Sequence, residues 1–480
     1  MAGHGAYIEL VDGALAVASE ELGGWLEDPD DGSVIGPQRA SESAVVERAL
    51  AVAQDAWSTG AWSDLSLEER GLGLERLATE LEARAEEIAL LDAIDSGVPI
   101  GVTRAVAGSL GSLVRAVVDV AERAGERRRL AAGGRRVEVL RLPWGPAVLL
   151  SPWNAPAAAA VGKVANALAA GCPAILKPSE LAPSSAGVIA EAALAAQLPP
   201  GALQIVHGGA DVAQALVGDA RVRMVSLTGS LAAGRAVALA AAPRMAALQL
   251  ELGGTNPAIV ASDANIAAAA DWLAAGMTKL NGQWCEAPRR VFVDAGRYDE
   301  LVDALEAALA SVRVGAARDA RSEVGPLASG AHRDRVVRQV EALGGEARVT
   351  AAVPDCPGFF LSPTLVLGLP AGSVREEIFG PVLSVHRVAG DTAAVAAANA
   401  NGDGLAGYVF CGDDERAFAL GRALHAGEVR IGGTNLLDLA PDSTQSFWGS
   451  SGIGAHGGRE VLEAFRGSRI VGEEDPTLAL

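Results

Sequence analysis

The chain has 480 residues, 50% of them hydrophobic and 20% charged, and 39 basic against 59 acidic residues leave a net charge of -20. That length and apolar fraction support two or three domains with large cores and argue against disorder over most of the chain. An acidic field repels phosphate backbones, which argues against nucleic acid as a partner. Cys172, Cys285, Cys356 and Cys411 lie far apart with no CxxC spacing. They form neither a disulfide framework nor a zinc site, so no metal is expected and a reducing, cytoplasmic setting is. The N-terminal residues lack a basic stretch followed by an apolar one, so no signal peptide is expected.

In chain order, the N-terminal part reads as helical. Ser66 and Glu69 have capping-box spacing, and Leu67, Leu74, Leu77, Leu81 and Ile88 follow at helical intervals. A second helical run, Val102 to Arg123, leads into the basic cluster Arg127-Arg128-Arg129, and Arg136 to Leu142 alternates like a half-exposed strand. Leu142 to Gly162 carries no charge, but Pro143, Pro146, Pro152 and Pro156 make a membrane-spanning helix untenable. From Ala147 to about Val260, short apolar runs (147–150, 174–177, 203–206, 224–227) alternate with Ala-rich helical ones, and the alternation resumes to about Gly427. This pattern predicts two doubly wound parallel α/β units, with ligands beyond the carboxyl ends of the strands.

The chemistry-bearing residues cluster at such strand ends. Cys285 follows a long Ala-rich helical run from Asp263 to Leu280, after the helix-stop pair Asn281-Gly282, so it is expected on an irregular turn that can present its sulfur. In a chain that uses Arg almost everywhere, the lysines are Lys163, Lys177 and Lys279. Lys177 and Glu180, in Lys-Pro-Ser-Glu, could donate to and accept from ribose hydroxyls, and Gly229-Ser230 joins a strand to a helix start suited to pyrophosphate. Glu251, within an apolar strand ending in Gly253-Gly254, is either a paired structural group or a general base; the glycines leave room for a ligand. Asn154 could donate to an oxyanion or hold a turn.

Pro-Trp-Asn-Ala-Pro, Lys-Pro-Ser-Glu, Thr-Gly-Ser, Leu-Glu-Leu-Gly-Gly, Gly-Gln-Trp-Cys and Glu376 to Pro381 occur in an order that resembles the aldehyde dehydrogenase superfamily, from about Val11 to Val471. The resemblance implies that fold, with residues 1–122 and 144–253 binding NAD, 254–455 forming the catalytic domain, and 123–143 with 456–480 forming oligomerisation elements of a homodimer or homotetramer. It implies Cys285 as nucleophile towards a small aldehyde, Asn154 in the oxyanion hole, Glu251 as the base that activates water, and Lys163 in proton relay. For the cofactor it implies Lys177, Ser179 and Glu180 on the adenosine ribose, Trp153, Gly229 and Ser230 near the pyrophosphate, and Glu377 with Phe379 at the nicotinamide ribose. Glu180 would repel a 2′-phosphate, which favours NAD over NADP.

The pattern departs from the family at several places. Ala155 replaces an aromatic, whereas bulk returns at Trp284, Phe447 and Trp448, and Glu286 follows the nucleophile. An acid between aromatics could receive a cationic aldehyde; the preferred expectation is that Glu286 pairs with Arg289 or Arg290 instead. Three rival readings are a CoA-acylating branch, which generally lacks the acid matching Glu251, a catalytically silent member, and a Cys-His hydrolase.

Overall fold

The computed structural model describes residues 7–132 and 134–475. The first six residues, Gly133 and the last five, which include parts of the predicted signal-free start and oligomerisation segments, lie outside the described residues.

The chain begins with strands, which corrects the helical expectation for its start: Ile8–Val11, Ala14–Val17, Glu20–Glu27 and Val34–Ala40 precede the first helix, Ser43–Thr59. The signal was local. Asp12 and Gly13 both take positive φ (55° and 73°), the two-residue turn that matches the twist of a hairpin. The following helix, Leu67–Ala83, starts at the Ser66–Glu69 capping box, with both reciprocal bonds made.

Eight strands form the first sheet. Its five central strands are parallel, in the spatial order 203–205, 174–177, 147–150, 224–229, 247–252. Numbered along the chain this is 3-2-1-4-5, so the winding reverses between the strands 147–150 and 224–229, where a doubly wound sheet opens a crevice for a ligand. At one edge, Gly452–Ile453 pairs antiparallel with the strand that carries Glu251. A second sheet of seven strands has 290–294, 257–260 and 406–410 at its middle, all parallel. The uncharged stretch 142–162 divides into strand, turn and helix; among the described residues no helix is long and apolar enough to cross a membrane.

The basic cluster is not a helix end. Gly125 stops the helix, and Arg127–Leu130 becomes a strand paired with Val137–Pro143, itself paired with Arg466–Gly472 from the C-terminal tail. Glu138 holds both Arg127 and Arg136, which offsets the repulsion that crowded arginines would create on adjacent strands.

Gly282 is a glycine that the site requires. It sits at φ 74°, and a Cβ there would fall inside the backbone of Gly380 and Pro381. Gly344, at φ 69°, has open space instead. Gly344→Ala is expected to cost about 1–2 kcal/mol for the left-handed backbone, and Gly282→Ala clearly more. Thermal unfolding of the two variants checks this: equal midpoints would contradict the packing argument.

Candidate active site

The helix Ile266–Thr278, capped by Asn265, gives way to a tight turn in which Leu280 (φ 49°), Asn281 (φ 61°) and Gly282 (φ 74°) are successively left-handed. Two of these residues are not glycine, so the turn carries strain that its surroundings must outweigh. Four side chains do so. Asn281 donates to the carbonyls of Gly97 and Pro326 (2.8 Å each) and accepts from the Gly325 amide at 2.6 Å. Gln283 donates to Ser96 and accepts from the Ala328 amide at 2.9 Å. The buried Arg289 guanidinium donates to the carbonyls of Gly282, Trp284 and Gly380. Asn256 donates to the carbonyls of Cys285 (2.7 Å) and Ala287 (2.9 Å). The loop that carries Cys285 is therefore pinned on all sides by amide and guanidinium groups, while the residue itself stays partly accessible.

The sulfur faces carboxylates. Burial pushes the Cys285 thiol well above its ordinary range, and Glu251, Glu286 and Glu377 push it further. Glu251, on the first-sheet strand, is near enough to act on the thiol, and burial raises its own pKa. A neutral thiol is thus the resting form, and a thiolate needs a proton acceptor at hand. Glu251 is the carboxylate that acts most strongly on the thiol. Its Oε1 has no partner among the described residues, so one oxygen remains for the proton or for water. Asn154 follows the strand Ala147–Leu150 and donates one amide hydrogen to the Gln283 carbonyl at 2.7 Å. Its second hydrogen remains to be given. Lys163 is buried beneath this group, donating to Ser226 at 2.7 Å; burial lowers it to about 8, against the pull of Glu251.

The expected cofactor residues lie along the carboxyl edge of the first sheet. Lys177 donates to the carbonyls of Pro178 (2.6 Å) and Gly208 (2.5 Å) and stands 4.0 Å from Glu180, and burial lowers it to about 8. Two of its three hydrogens are used, leaving one. Ser179 accepts from the Leu181 amide. Gly229 ends its strand, and Ser230 caps the helix Leu231–Ala241, accepting from the Ala233 amide at 3.2 Å; the other amides of that first turn are suited to phosphate oxygens. Trp153 stands edge-on to Phe379 (5.5 Å between ring centres) and to His332 (5.0 Å), which groups it with Glu377 and Phe379. Burial raises Glu377 to about 7, and its Oε1 has no partner among the described residues. Three carboxyl groups around a neutral thiol, two with orphaned oxygens, suit a positively charged ring attached to a ribose that bears hydroxyls, and the residues present fit a nicotinamide nucleotide on that ground.

Two expectations need correction. The space beside Gly253 does not await a ligand: Glu377 fills it, and a Cβ at residue 253 would overlap that carboxylate. Nor does Glu286 pair with Arg289 or Arg290. Arg289 is spent on the loop carbonyls, and Arg290 donates to the carbonyls of Thr255, Ala397 and Ala398. Glu286 lies instead near Glu428, Arg430 and Gln445, raised to about 7 chiefly by burial and then by Glu428. Among the pocket candidates, Ala155, Trp284 and Cys285 pack with Val98, Val102 and Leu280 in one apolar cluster. Phe447 is buried, whereas Trp448 is 48% exposed and lies against His425.

Asn256, Asn281, Gln283, Arg289 and His332 were not anticipated. The first four act on backbone carbonyls and lie within thirty residues of Cys285 in sequence, so amide-rich flanks around a candidate Cys were the available signal. His332 had none, being brought to Trp153 only by the fold.

Residues 24–471 match the aldehyde dehydrogenase family. The chain is 38% identical over 430 residues to a geranial dehydrogenase of Castellaniella defragrans, covering 88% of this chain and 89% of that protein. Among solved structures it resembles an NAD-dependent aldehyde dehydrogenase from Sinorhizobium meliloti (TM-score 0.91, 31% identity, 99% of this chain and 96% of that one). It also resembles betaine aldehyde dehydrogenase from Staphylococcus aureus in complex with NAD+ (TM-score 0.90, 27% identity, 97% and 94%). The chain belongs to the aldehyde dehydrogenase family and is an enzyme of that class.

The carboxylate cluster has a measurable consequence. Removing the charge and the hydrogen-bond acceptor at residue 251 relieves the upward push on the thiol, so Glu251→Gln should move the pH profile of Cys285 alkylation to lower pH. Peptide mass spectrometry after timed iodoacetamide treatment reads this, and an unchanged or more alkaline profile would contradict it.

Proposed function

We propose that this chain oxidises an aldehyde to the carboxylic acid with NAD, through a thioester on Cys285 that is hydrolysed by water activated by Glu251. The observation that carries the reading is the meeting of three groups from separate elements: the Cys285 thiol beside the Glu251 carboxylate, and the Asn154 amide tied to Gln283, two residues before the sulfur.

The steps follow from what each residue can do. Glu251 takes the thiol proton as sulfur bonds to the carbonyl carbon, and the carbonyl oxygen becomes an oxyanion. The second Asn154 hydrogen and the Cys285 backbone N–H stabilise that charge as it develops. When bound, the dinucleotide supplies an acceptor for the hydride that leaves the substrate carbon. Departure of the hydride re-forms the C=O and leaves a thioester on Cys285. Glu251, once deprotonated, takes a proton from water, whose oxygen attacks the thioester carbon; sulfur leaves and recovers a proton, and the acid is released. Lys163, near neutral range and acting on Glu251 through its charge, is the group suited to exchange that proton.

Lys177, Ser179 and Glu180 would hold the adenosine ribose, Gly229 and Ser230 the pyrophosphate, and Glu377, Phe379 and Trp153 the nicotinamide end. The carboxylate of Glu180 against a 2′-hydroxyl favours NAD over NADP. The apolar cluster of Val98, Val102, Ala155 and Trp284 around the sulfur favours an apolar aldehyde, and geranial is what the relative named above oxidises. Burial and then Glu428 raise Glu286 to about 7, and its neighbours are Glu428, Arg430 and Gln445.

Asn154→Ala should lower kcat roughly 10²–10³-fold in initial-rate assays of NADH formation; a loss under threefold would remove it from the oxyanion hole. Over a panel of aldehydes, apolar ones should exceed cationic ones, and Glu286→Gln should leave that order unchanged. A cation preference abolished by Glu286→Gln would contradict the substrate assignment.

A further inference from the structure

The helix Ala85–Ser96 ends in a turn whose residues Leu91 to Ser96 are all buried, and among them are two carboxylates, Asp92 and Asp95. Neither was needed for the chemistry described above. The backbone amides they accept from start two different helices, although the Ser185 hydroxyl of the second helix also favours the Asp92 carboxylate. Asp92 Oδ2 accepts from the Ala157 amide at 3.2 Å. Asp95 accepts from the Ser184 amide at 2.9 Å through Oδ2 and from the Ser184 hydroxyl at 3.0 Å through Oδ1. Both target helices, Pro156–Ala170 and Ser184–Ala195, lack a side-chain cap of their own: Ala155 and Pro183 stand at their N-cap positions. The two aspartates act as caps supplied from 65 and 89 residues away in sequence.

A stability role explains this arrangement poorly. A neutral Ser at the N-cap itself would satisfy the same amides from within each helix, with no charge to desolvate. Here two carboxylates are wholly buried, and burial raises both to about 7, which signals desolvation that a local cap would avoid. What a remote cap adds is a link between chain segments. Asn154 lies three residues before Ala157, and Glu180 lies four residues before Ser184. The same helix end also holds the nucleophile loop, since Ser96 accepts from Gln283 and Gly97 accepts from Asn281. One helix terminus therefore fixes three loops relative to one another: that of the oxyanion donor, that of the ribose acid and that of the sulfur.

We propose that Asp92 and Asp95 are separable positioning residues: Asp92 sets Asn154 against the sulfur of Cys285, and Asp95 sets the Lys177–Glu180 loop for the dinucleotide. This rests on the site reading above. Its consequence is a split. Losing the Asp92 carboxylate disturbs the loop used in the transition state, whereas losing the Asp95 carboxylate disturbs the loop used to bind the nucleotide.

The test compares Asp92→Ala, Asp92→Asn, Asp95→Ala and Asp95→Asn with the unaltered enzyme, by steady-state kinetics and by calorimetric titration with NAD. Asp92→Ala should lower kcat roughly 10- to 100-fold, as a misplaced catalytic group does, with the NAD dissociation constant held within threefold. Asp95→Ala should weaken NAD binding at least about tenfold, by analogy with the loss of an anchored contact, with kcat held within threefold at saturating NAD. Asn keeps an oxygen acceptor at each place, so both Asn variants should lie within about threefold of the unaltered enzyme. If either Ala chain fails to fold, Ser at that position, too short to reach the amide, is read in the same way. Equal effects of the two losses on kcat and on NAD binding would overturn the proposal. So would Ala and Ser chains that all fail to fold while the Asn chains behave normally, which would make the aspartates caps and nothing more. An unaltered enzyme that forms no NADH from any aldehyde would instead count against the proposed function, and the NAD titrations would still decide Asp95.

Discussion

Everything in the site hangs on a backbone turn that could not stand alone. Leu280, Asn281 and Gly282 are left-handed in succession, a conformation worth roughly 1–2 kcal/mol against each non-glycine residue. Such a turn cannot bond its own carbonyls in a regular pattern. Asn281, Gln283, Arg289 and Asn256 hold it and the loop that follows: Asn281 and Gln283 both reach the helix end at residues 96–97 and the segment 325–328, Arg289 joins Gly282 and Trp284 to the Gly380 bend, and Asn256 joins Cys285 and Ala287 to the strand start at 406. Cys285 is therefore located by the fold as a whole.

That rigidity matters because the electrostatics are unfavourable until a partner arrives. Glu251, Glu286 and Glu377 all oppose a negative sulfur. A site with a standing thiolate would react with any electrophile that diffused in. A neutral thiol beside a raised carboxylate ionises only as the proton moves, which couples attack to the approach of substrate and of positive charge.

Much of this was legible in the sequence, for identifiable reasons. The parallel core of the first sheet was found almost to the residue because fully buried strands are continuous apolar runs bounded by Gly and Pro. The Ser66 cap and the helix stop before Cys285 were local chemistry and were equally plain. The opening hairpins were missed although Asp12-Gly13 announced one, and the Arg127 strand was missed because its pairing with residues 137–143 and 466–472 is not local. Glu286 was misread for a related reason: Arg289 and Arg290 are its neighbours in sequence, but their guanidinium groups turn to backbone carbonyls on the other side. The supporting amides and Asp92 with Asp95 act over dozens of residues, and no periodicity reveals such links.

The account's central claim is that sulfur at residue 285 carries the acyl group between oxidation and hydrolysis. The most direct test is intact-protein and peptide mass spectrometry of the Glu251→Gln variant after incubation with an apolar aldehyde and NAD. The account predicts one added acyl group, located on the peptide containing Cys285 and released by hydroxylamine. No adduct under conditions in which the unaltered enzyme turns over, or an adduct on Cys172, Cys356 or Cys411, would contradict it.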